Sequence, residues 1–259
     1  MATQLRKRFG QHLLTNPITI SNIVKVINPK KHDHLIEIGP GRGAITIPVL
    51  KKVGTLHAIE LDRDIAKEVT ENCKNIGELI IHHGDVLNFD FNTVARIDNP
   101  IRLFGNLPYN ISTPLLFHLL TFSDVIIDMH FMLQKEVVDR IIAAAGDSNY
   151  SRLSIMIQCS YKVESLFDIS PHEFTPPPKV NSSFMRLIPT DEYQKQIKDH
   201  DIFSKLVESA FQQRRKTINN SLSKLTTEVQ LRNASIQVTQ RPQEISIPQY
   251  IKLANELAT

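Results

Sequence analysis

The sequence predicts an α/β fold: a mostly parallel sheet covered by helices on both faces, followed by a small C-terminal all-α domain. Three observations carry this. Short apolar runs alternate with helical stretches through the first two thirds of the 259 residues, the pattern of βαβ units. Several of those runs end in glycine-bearing turns. After Pro189 the character changes, because residues 190–259 contain no glycine and show helical spacing at Phe203, Leu206, Val207, Ala210 and Phe211.

Taken in order, His34-Leu-Ile-Glu-Ile38 is a buried strand running into Gly39-Pro40-Gly41-Arg42-Gly43. Residues 44–52 have helical composition, with Pro48 near the end of the first turn. Thr55–Glu60 is a second strand, and Arg63–Cys73 a helix with Asp62 available as its N-cap. Residues 78–82 form a third strand before Gly84-Asp85, and 101–104 a fourth before Gly105-Asn106-Leu107-Pro108-Tyr109. Ser112 is expected to cap a helix through Leu120, with Pro114 in its first turn. Residues 125–133 read as a fifth strand and 135–145 as a helix. Residues 153–163 and 182–187 are expected as antiparallel strands closing one edge. Between them Phe174-Thr-Pro-Pro-Pro-Lys179 is expected in extended, polyproline-like backbone. The domains are therefore expected at 1–189 and 190–259.

Hydrophobic residues are 41% and charged residues 22%, an ordinary globular composition able to bury a core without staples. No apolar run approaches the roughly 18 residues of a membrane span. The start, with Arg6, Lys7 and Arg8 and no apolar region behind them, argues against a secretory signal. Cys73 and Cys159 form no CxxC pair. That argues against a zinc ribbon or disulfide framework and fits a cytoplasmic location, with no metal expected. Net charge is +3, yet residues 1–32 carry Arg6, Lys7, Arg8, Lys25, Lys30 and Lys31 and no acid, so the other 227 residues sum to −3. A basic arm on a near-neutral body suggests a polyanionic partner, although a solubilising tail fits the charge equally well.

The distinctive residues sit at strand ends, where doubly wound sheets bind ligands. Gly39, Gly41 and Gly43 follow the first strand, Glu60 ends the second, Asp85 follows the third and Asn106 the fourth. The glycine spacing is GxGxG rather than the dinucleotide GxGxxG. Glu60 comes 21 residues after Gly39, about the spacing at which a carboxylate accepts both ribose hydroxyls. This pair alone does not separate NAD from S-adenosylmethionine. Asp85 tips the balance, since a carboxylate there can accept from an adenine amine, although standing alone it is equally a turn residue.

Asn106-Leu107-Pro108-Tyr109 is the sharpest signal. The lone pair of an adenine exocyclic amine is delocalised into the ring, so methylating it is difficult. Two acceptors, the Asn106 side-chain oxygen and the Leu107 carbonyl, can take both amine hydrogens and draw the nitrogen toward tetrahedral geometry. Pro108 stiffens the turn, and Tyr109 can stack on the purine. The competing reading is a plain strand-to-helix turn, since Asn and Pro are common turn formers. Phe174, ahead of three prolines, is a second candidate stacking surface opposite Tyr109 for a flipped base; on residues alone a packed loop phenylalanine is the simpler reading.

Together these residues resemble the small-subunit ribosomal RNA adenine N6,N6-dimethyltransferases, the KsgA type, over nearly the whole chain. Arg8-Phe-Gly-Gln-His-Leu-Leu14, Glu37-Ile-Gly-Pro-Gly41, Ile59-Glu-Leu-Asp62, Gly84-Asp85, Phe104-Gly-Asn-Leu-Pro-Tyr109, Met132-Leu-Gln-Lys-Glu136, Phe174-Thr-Pro-Pro-Pro-Lys-Val180 and Phe211-Gln-Gln-Arg-Arg-Lys-Thr217 follow in family order. The resemblance implies a Rossmann-like class I methyltransferase fold with a small helical, rRNA-binding domain. It implies methyl transfer from S-adenosylmethionine, leaving S-adenosylhomocysteine, to two adjacent adenosines near the 3′ end of 16S rRNA. It also implies a role late in small-subunit biogenesis, a link to kasugamycin resistance and a monomeric enzyme. Cofactor contacts fall on His12, Leu14, Gly39, Gly41, Glu60, Asp85 and Asn106. The base falls to Asn106, Leu107, Pro108, Tyr109 and Phe174. RNA phosphates fall to Arg6, Lys7, Arg8, Arg214, Arg215 and Lys216. His12 departs from the family's usual asparagine. The rival readings are a resistance-type 23S rRNA methyltransferase, a non-catalytic RNA-binding assembly factor and an NAD-dependent oxidoreductase.

Overall fold

A computed structural model describes residues 12–96 and 98–258. The elements in chain order are β1 (Leu13–Leu14), α1 (Pro17–Ile27), β2 (His34–Ile38), α2 (Thr46–Val53), β3 (Thr55–Glu60), α3 (Arg63–Cys73), β4 (Glu78–His83) and β5 (Ile101–Asn106). Then come α4 (Ser112–Leu119), β6 (Ile126–Gln134), α5 (Lys135–Ile142), α6 (Arg152–Ser160), β7 (Tyr161–Ile169), β8 (Phe174–Thr175) and β9 (Ser182–Pro189). The last are α7 (His200–Gln212), α8 (Ile218–Ser221), α9 (Glu228–Asn233) and α10 (Ile247–Leu257).

The main sheet has the strand order β4-β3-β2-β5-β6-β9-β7. The pairings from β4 through β6 are parallel, and β9 is antiparallel to β6. The chain builds outward from β2 to β4, then returns to lay β5 on the other side of β2. The topological switch therefore falls between β2 and β5, where open α/β sheets bind ligands.

The chain divides into two compact units, 1–138 with 164–189, and 139–163 with 190–259. The change of character at 190 coincides with one crossing. Residues 139–163, expected in the first domain, group instead with the helical unit. The expected strand at 153–163 is mostly helix: α6 covers Arg152–Ser160, and the strand starts only at Tyr161. Apolar runs of this length do not by themselves separate buried helix from strand. In α6, Ser151 and Ser154 close a reciprocal cap, a start signal the apolar count overlooks.

Local signals explain most other ends. Asp62 caps α3, accepting from the backbone N–H groups of Asp64 and Ile65. The helix α1 was not among the expected elements, yet Asn16 caps it, Pro17 opens it and Asn28 closes it in the left-handed region. Ser112 is not a cap: it is the first residue of α4, and its hydroxyl donates to the Tyr109 carbonyl at 3.0 Å. The Phe174–Thr175 segment is a short strand paired with β1 rather than free polyproline-like chain, and the Thr175–Pro176 bond is cis.

Each unit has its own core. In the first, Ile23, Leu35, Val49, Leu50, Phe104 and Phe184 are fully buried. In the second, Phe203, Leu206, Val207 and Ala210 of α7 pack with Ile218, Leu222, Leu231 and Tyr250. Cys73 and Cys159 are free and buried. No helix among the described residues is long and apolar enough to cross a membrane.

Candidate active site

The carboxyl ends of β2, β3 and β5 and the turn after β4 meet around a cavity of about 370 Å³. His12, Gly39, Gly41, Glu60, Asp85, Asn106, Leu107, Pro108 and Tyr109 all line it. Nine predicted residues drawn from five separate segments thus share one wall. A neighbouring cavity of about 500 Å³ continues under β1, sharing His12, Gly39, Gly41 and Asn106 and adding Leu14 and Glu37.

The glycine turn is built for close approach. Gly39 and Gly41 have φ of 68° and 54°, which side chains with a Cβ rarely adopt. The Gly39 N–H donates to the Ile59 carbonyl at 3.0 Å, tying the turn to the end of β3. Glu60, at that end, is only 7% exposed. Its Oε1 accepts from the Asp62 N–H at 2.8 Å. Burial raises its pKa, against the pull of backbone N–H groups from Asp62, Leu61 and Gly41. Asp85 is exposed; one oxygen accepts from the Leu87 N–H at 3.0 Å.

Asn106 is the last residue of β5 rather than part of the following turn. Its Nδ2 donates to the His12 carbonyl at 3.1 Å, which commits the amide end of the carboxamide. The Leu107 N–H donates to the Met132 carbonyl at 3.2 Å, anchoring the turn on β6. Tyr109 is held through its hydroxyl, 3.0 Å from the Ser182 oxygen. Burial raises the Tyr109 pKa, so the ring stays an uncharged stacking face.

Two predicted residues sit differently. Phe174 is 3% exposed and packs in the core of the first unit, and it lines neither cavity. Phe174 is the register partner of Leu14, and both side chains belong to the same buried cluster. The ring beside Tyr109 is instead that of His12, with centroids 5.7 Å apart and planes 29° from parallel. The His12 Nδ1 donates to the Pro176 carbonyl at 2.7 Å. Arg214, Arg215 and Lys216 are exposed, in the turn after α7, and Arg214 donates to the Ser148 carbonyl. Arg6, Lys7 and Arg8 lie outside the described residues.

Glu37 is a site residue that the spacing of the strand-end motifs does not mark. It is 2% exposed in β2, beneath the glycine turn. Burial pushes its carboxyl up to about 8, against a lowering pull from the Thr46 hydroxyl, and its Oε2 has no partner within hydrogen-bond geometry among the described residues. A carboxylic acid inside an otherwise apolar strand was the available signal. An orphaned acceptor there fits the ammonium end of an amino-acid cofactor, as Glu60 fits vicinal hydroxyls. The acceptor set therefore suits S-adenosylmethionine: carboxyl groups at Glu60 and Asp85 line one cavity and Glu37 lines its neighbour, with Gly39 and Gly41 shared by both.

A parallel sheet switching at this point, with a GxGxG turn and an acid ending the next strand, defines a Rossmann-like class I methyltransferase. The model of the family "ribosomal RNA adenine dimethylase" matches residues 2–259. The chain belongs to that family. It is 48% identical over 254 residues to the ribosomal RNA small subunit methyltransferase A of Xylella fastidiosa, covering 98% of this chain and 96% of that one. The enzyme of the same name from Colwellia psychrerythraea is also 48% identical, covering 97% of this chain and 84% of that one. Among solved structures, a dimethyladenosine transferase from Plasmodium falciparum superposes with a TM-score of 0.80 at 27% identity, over 95% of this chain and 98% of that one. The 23S rRNA methyltransferase ErmE, at 21% identity and a TM-score of 0.70, covers 95% of this chain and 100% of that one and shares the fold.

Proposed function

We propose that this chain transfers methyl groups from S-adenosylmethionine to the N6 amines of two adjacent adenosines near the 3′ end of 16S rRNA, in the small ribosomal subunit. The observation that carries the reading is the meeting of Asn106 and Tyr109 with the glycine turn and Glu60 on one cavity.

S-adenosylmethionine supplies an electrophilic methyl group on a sulfonium that is its own leaving group. Glu60 accepts the ribose hydroxyls, Asp85 the adenine amine, and Glu37 the ammonium end. Gly39 and Gly41 bring backbone against the ligand, and His12 and Leu14 close it from above the turn. For the substrate, the Asn106 amide end is already spent on the His12 carbonyl, leaving Oδ1 as the free acceptor. That oxygen and the Leu107 carbonyl accept hydrogen bonds from the two hydrogens of the target amine and localise its lone pair; as the nitrogen gains the methyl group the sulfonium becomes a neutral thioether, and the amine sheds one proton to solvent. Pro108 fixes the backbone after Leu107 and so the direction in which that carbonyl points. Asn106 is neutral and takes no proton, so the site works by alignment rather than base strength. Tyr109 stacks the base. Arg214, Arg215 and Lys216, with Arg6, Lys7 and Arg8, contact phosphates and position the RNA without reading sequence. The enzyme acts in the cytoplasm as a monomer.

The test is mass spectrometry of small- and large-subunit rRNA after incubation with labelled S-adenosylmethionine. Dimethyladenosine at two neighbouring small-subunit positions supports the reading. Label in 23S rRNA alone identifies the resistance type, and no label identifies a silent assembly factor.

A further inference from the structure

At the other end of the sheet from the donor cavity, the amino ends of β2 and β3 border a concavity of about 610 Å³. Lys31, His34, His57 and Arg96 line it. Lys31 and Arg96 are exposed, and neither has an ion-pair partner among the described residues. Among the described residues Asp33 is the one acidic side chain on the wall, and it is already engaged. Its carboxylate accepts from the Arg102 guanidinium at 2.5 Å and from the Lys30 N–H at 2.9 Å. The nearby Glu78 carboxylate accepts from the Thr55 hydroxyl at 3.4 Å.

Behind the two cations, imidazoles run across three strands. The His34 and His57 rings meet edge to face at 5.0 Å, and His57 stacks on His82 at 5.2 Å. His57 Nδ1 lies 2.9 Å from His82 Nε2, so one ring donates to the other. If His82 donates, His57 keeps its Nε2–H for a ligand. His34 Nδ1 donates to the Asn99 carbonyl at 3.4 Å. Burial, His34, His82 and Arg96 hold the His57 pKa down at about 4. Burial and His34 lower that of His82 as well. His34, His82 and Arg96 all disfavour a proton on His57, and an anion in the cavity would oppose them.

We propose that this cavity seats a backbone phosphate of the substrate RNA, a contact remote from the reacting base. The inference rests on the RNA-modifying reading above. Arg96 supplies a fork of donors and Lys31 a point charge, the pairing that suits a phosphate oxygen set. The five residues of β2 put this contact about 17 Å from the glycine turn. It therefore grips RNA outside the adenosines being modified and adds affinity without selecting sequence.

The experiment measures binding of the full chain to unmethylated small ribosomal particles over a range of salt. The double variant Lys31→Ala, Arg96→Ala is expected to bind roughly fivefold more weakly at low salt, with a log–log salt slope shallower by about 0.7, the increment for one single-strand phosphate. The charge-conserving pair Lys31→Arg, Arg96→Lys should restore most of the affinity, and kcat at saturating particle should not change. Unchanged affinity and slope in the alanine variant overturn the proposal. So does a cavity in which inorganic phosphate shifts the His34 and His57 NMR signals while particle binding is unaffected, since that identifies a free-anion site. Failure of the wild-type chain to methylate any particle would instead count against the function itself.

Discussion

Gly105→Ala is a small change with a large expected consequence. Gly105 precedes Asn106 in β5, alongside β2. A Cβ placed there lies 2.4 Å from the Ile38 carbonyl oxygen and 3.3 Å from the Ile38 nitrogen and carbonyl carbon. All three are backbone atoms, so no side-chain rotation relieves the clash. Restoring van der Waals contact requires the two strands to part by about 1 Å. They part where β2 enters the glycine turn and β5 presents Asn106. Overpacking of this kind costs about 1–3 kcal/mol, and each kcal/mol lowers Tm by about 2–4 °C for a unit of this size. A displacement of about 1 Å at the reacting groups lowers the transfer rate roughly 10²-fold. Calorimetric melting, titration with S-adenosylmethionine and a single-turnover methylation assay read the three effects. Gly84→Ala is the control for melting, because nothing lies within 4 Å of its added Cβ. A Gly105→Ala protein with wild-type Tm and wild-type transfer would refute the argument that bare backbone contact sets the spacing of the site.

Other outcomes follow from single groups. Glu60→Gln should weaken S-adenosylmethionine binding by about 1.5–3 kcal/mol, and unchanged affinity by calorimetry would remove the ribose assignment. Because burial raises the Glu60 pKa, wild-type affinity should also fall as acid protonates that carboxylate. Asn106→Ala should cost roughly 10²–10³ in turnover with cofactor affinity near wild type; near-normal turnover would end the amine-positioning role. Glu37 has a folded pKa of about 8 against an ordinary 4.5, so its folded state holds the proton more tightly. Its contribution to stability is complete below about 4.5 and is lost as pH rises through 8. Glu37→Gln should flatten urea-denaturation stability across that window, and an unaltered pH profile would show that this carboxyl does not stay protonated in the fold.

Much of the site was legible because its chemistry is local. The GxGxG turn, Glu60 closing a strand, Asp85 in a turn and Asn106-Leu-Pro-Tyr109 each rest on spacings of a few residues, and all converge on one cavity. Asp62 as a cap was legible for the same reason. Elements whose evidence is distant were not. Residues 153–160 are apolar enough to be strand or helix, and the Ser151–Ser154 cap together with packing inside the second unit decides for helix.

The sequence by itself determined the βαβ order, the strand ends that carry chemistry and the family, because backbone conformation at glycine, proline and cap residues is set by nearest neighbours. Tertiary structure alone decided that Phe174 is core while His12 faces Tyr109. Leu14 and Phe174, paired and both buried, lie 160 residues apart, and no local preference encodes which face of such a pair turns inward. It likewise decided that Glu37 stays buried with one oxygen unpaired. That follows from the strands stacked around it, whose burial of the carboxyl is a property of the assembled sheet rather than of any one segment.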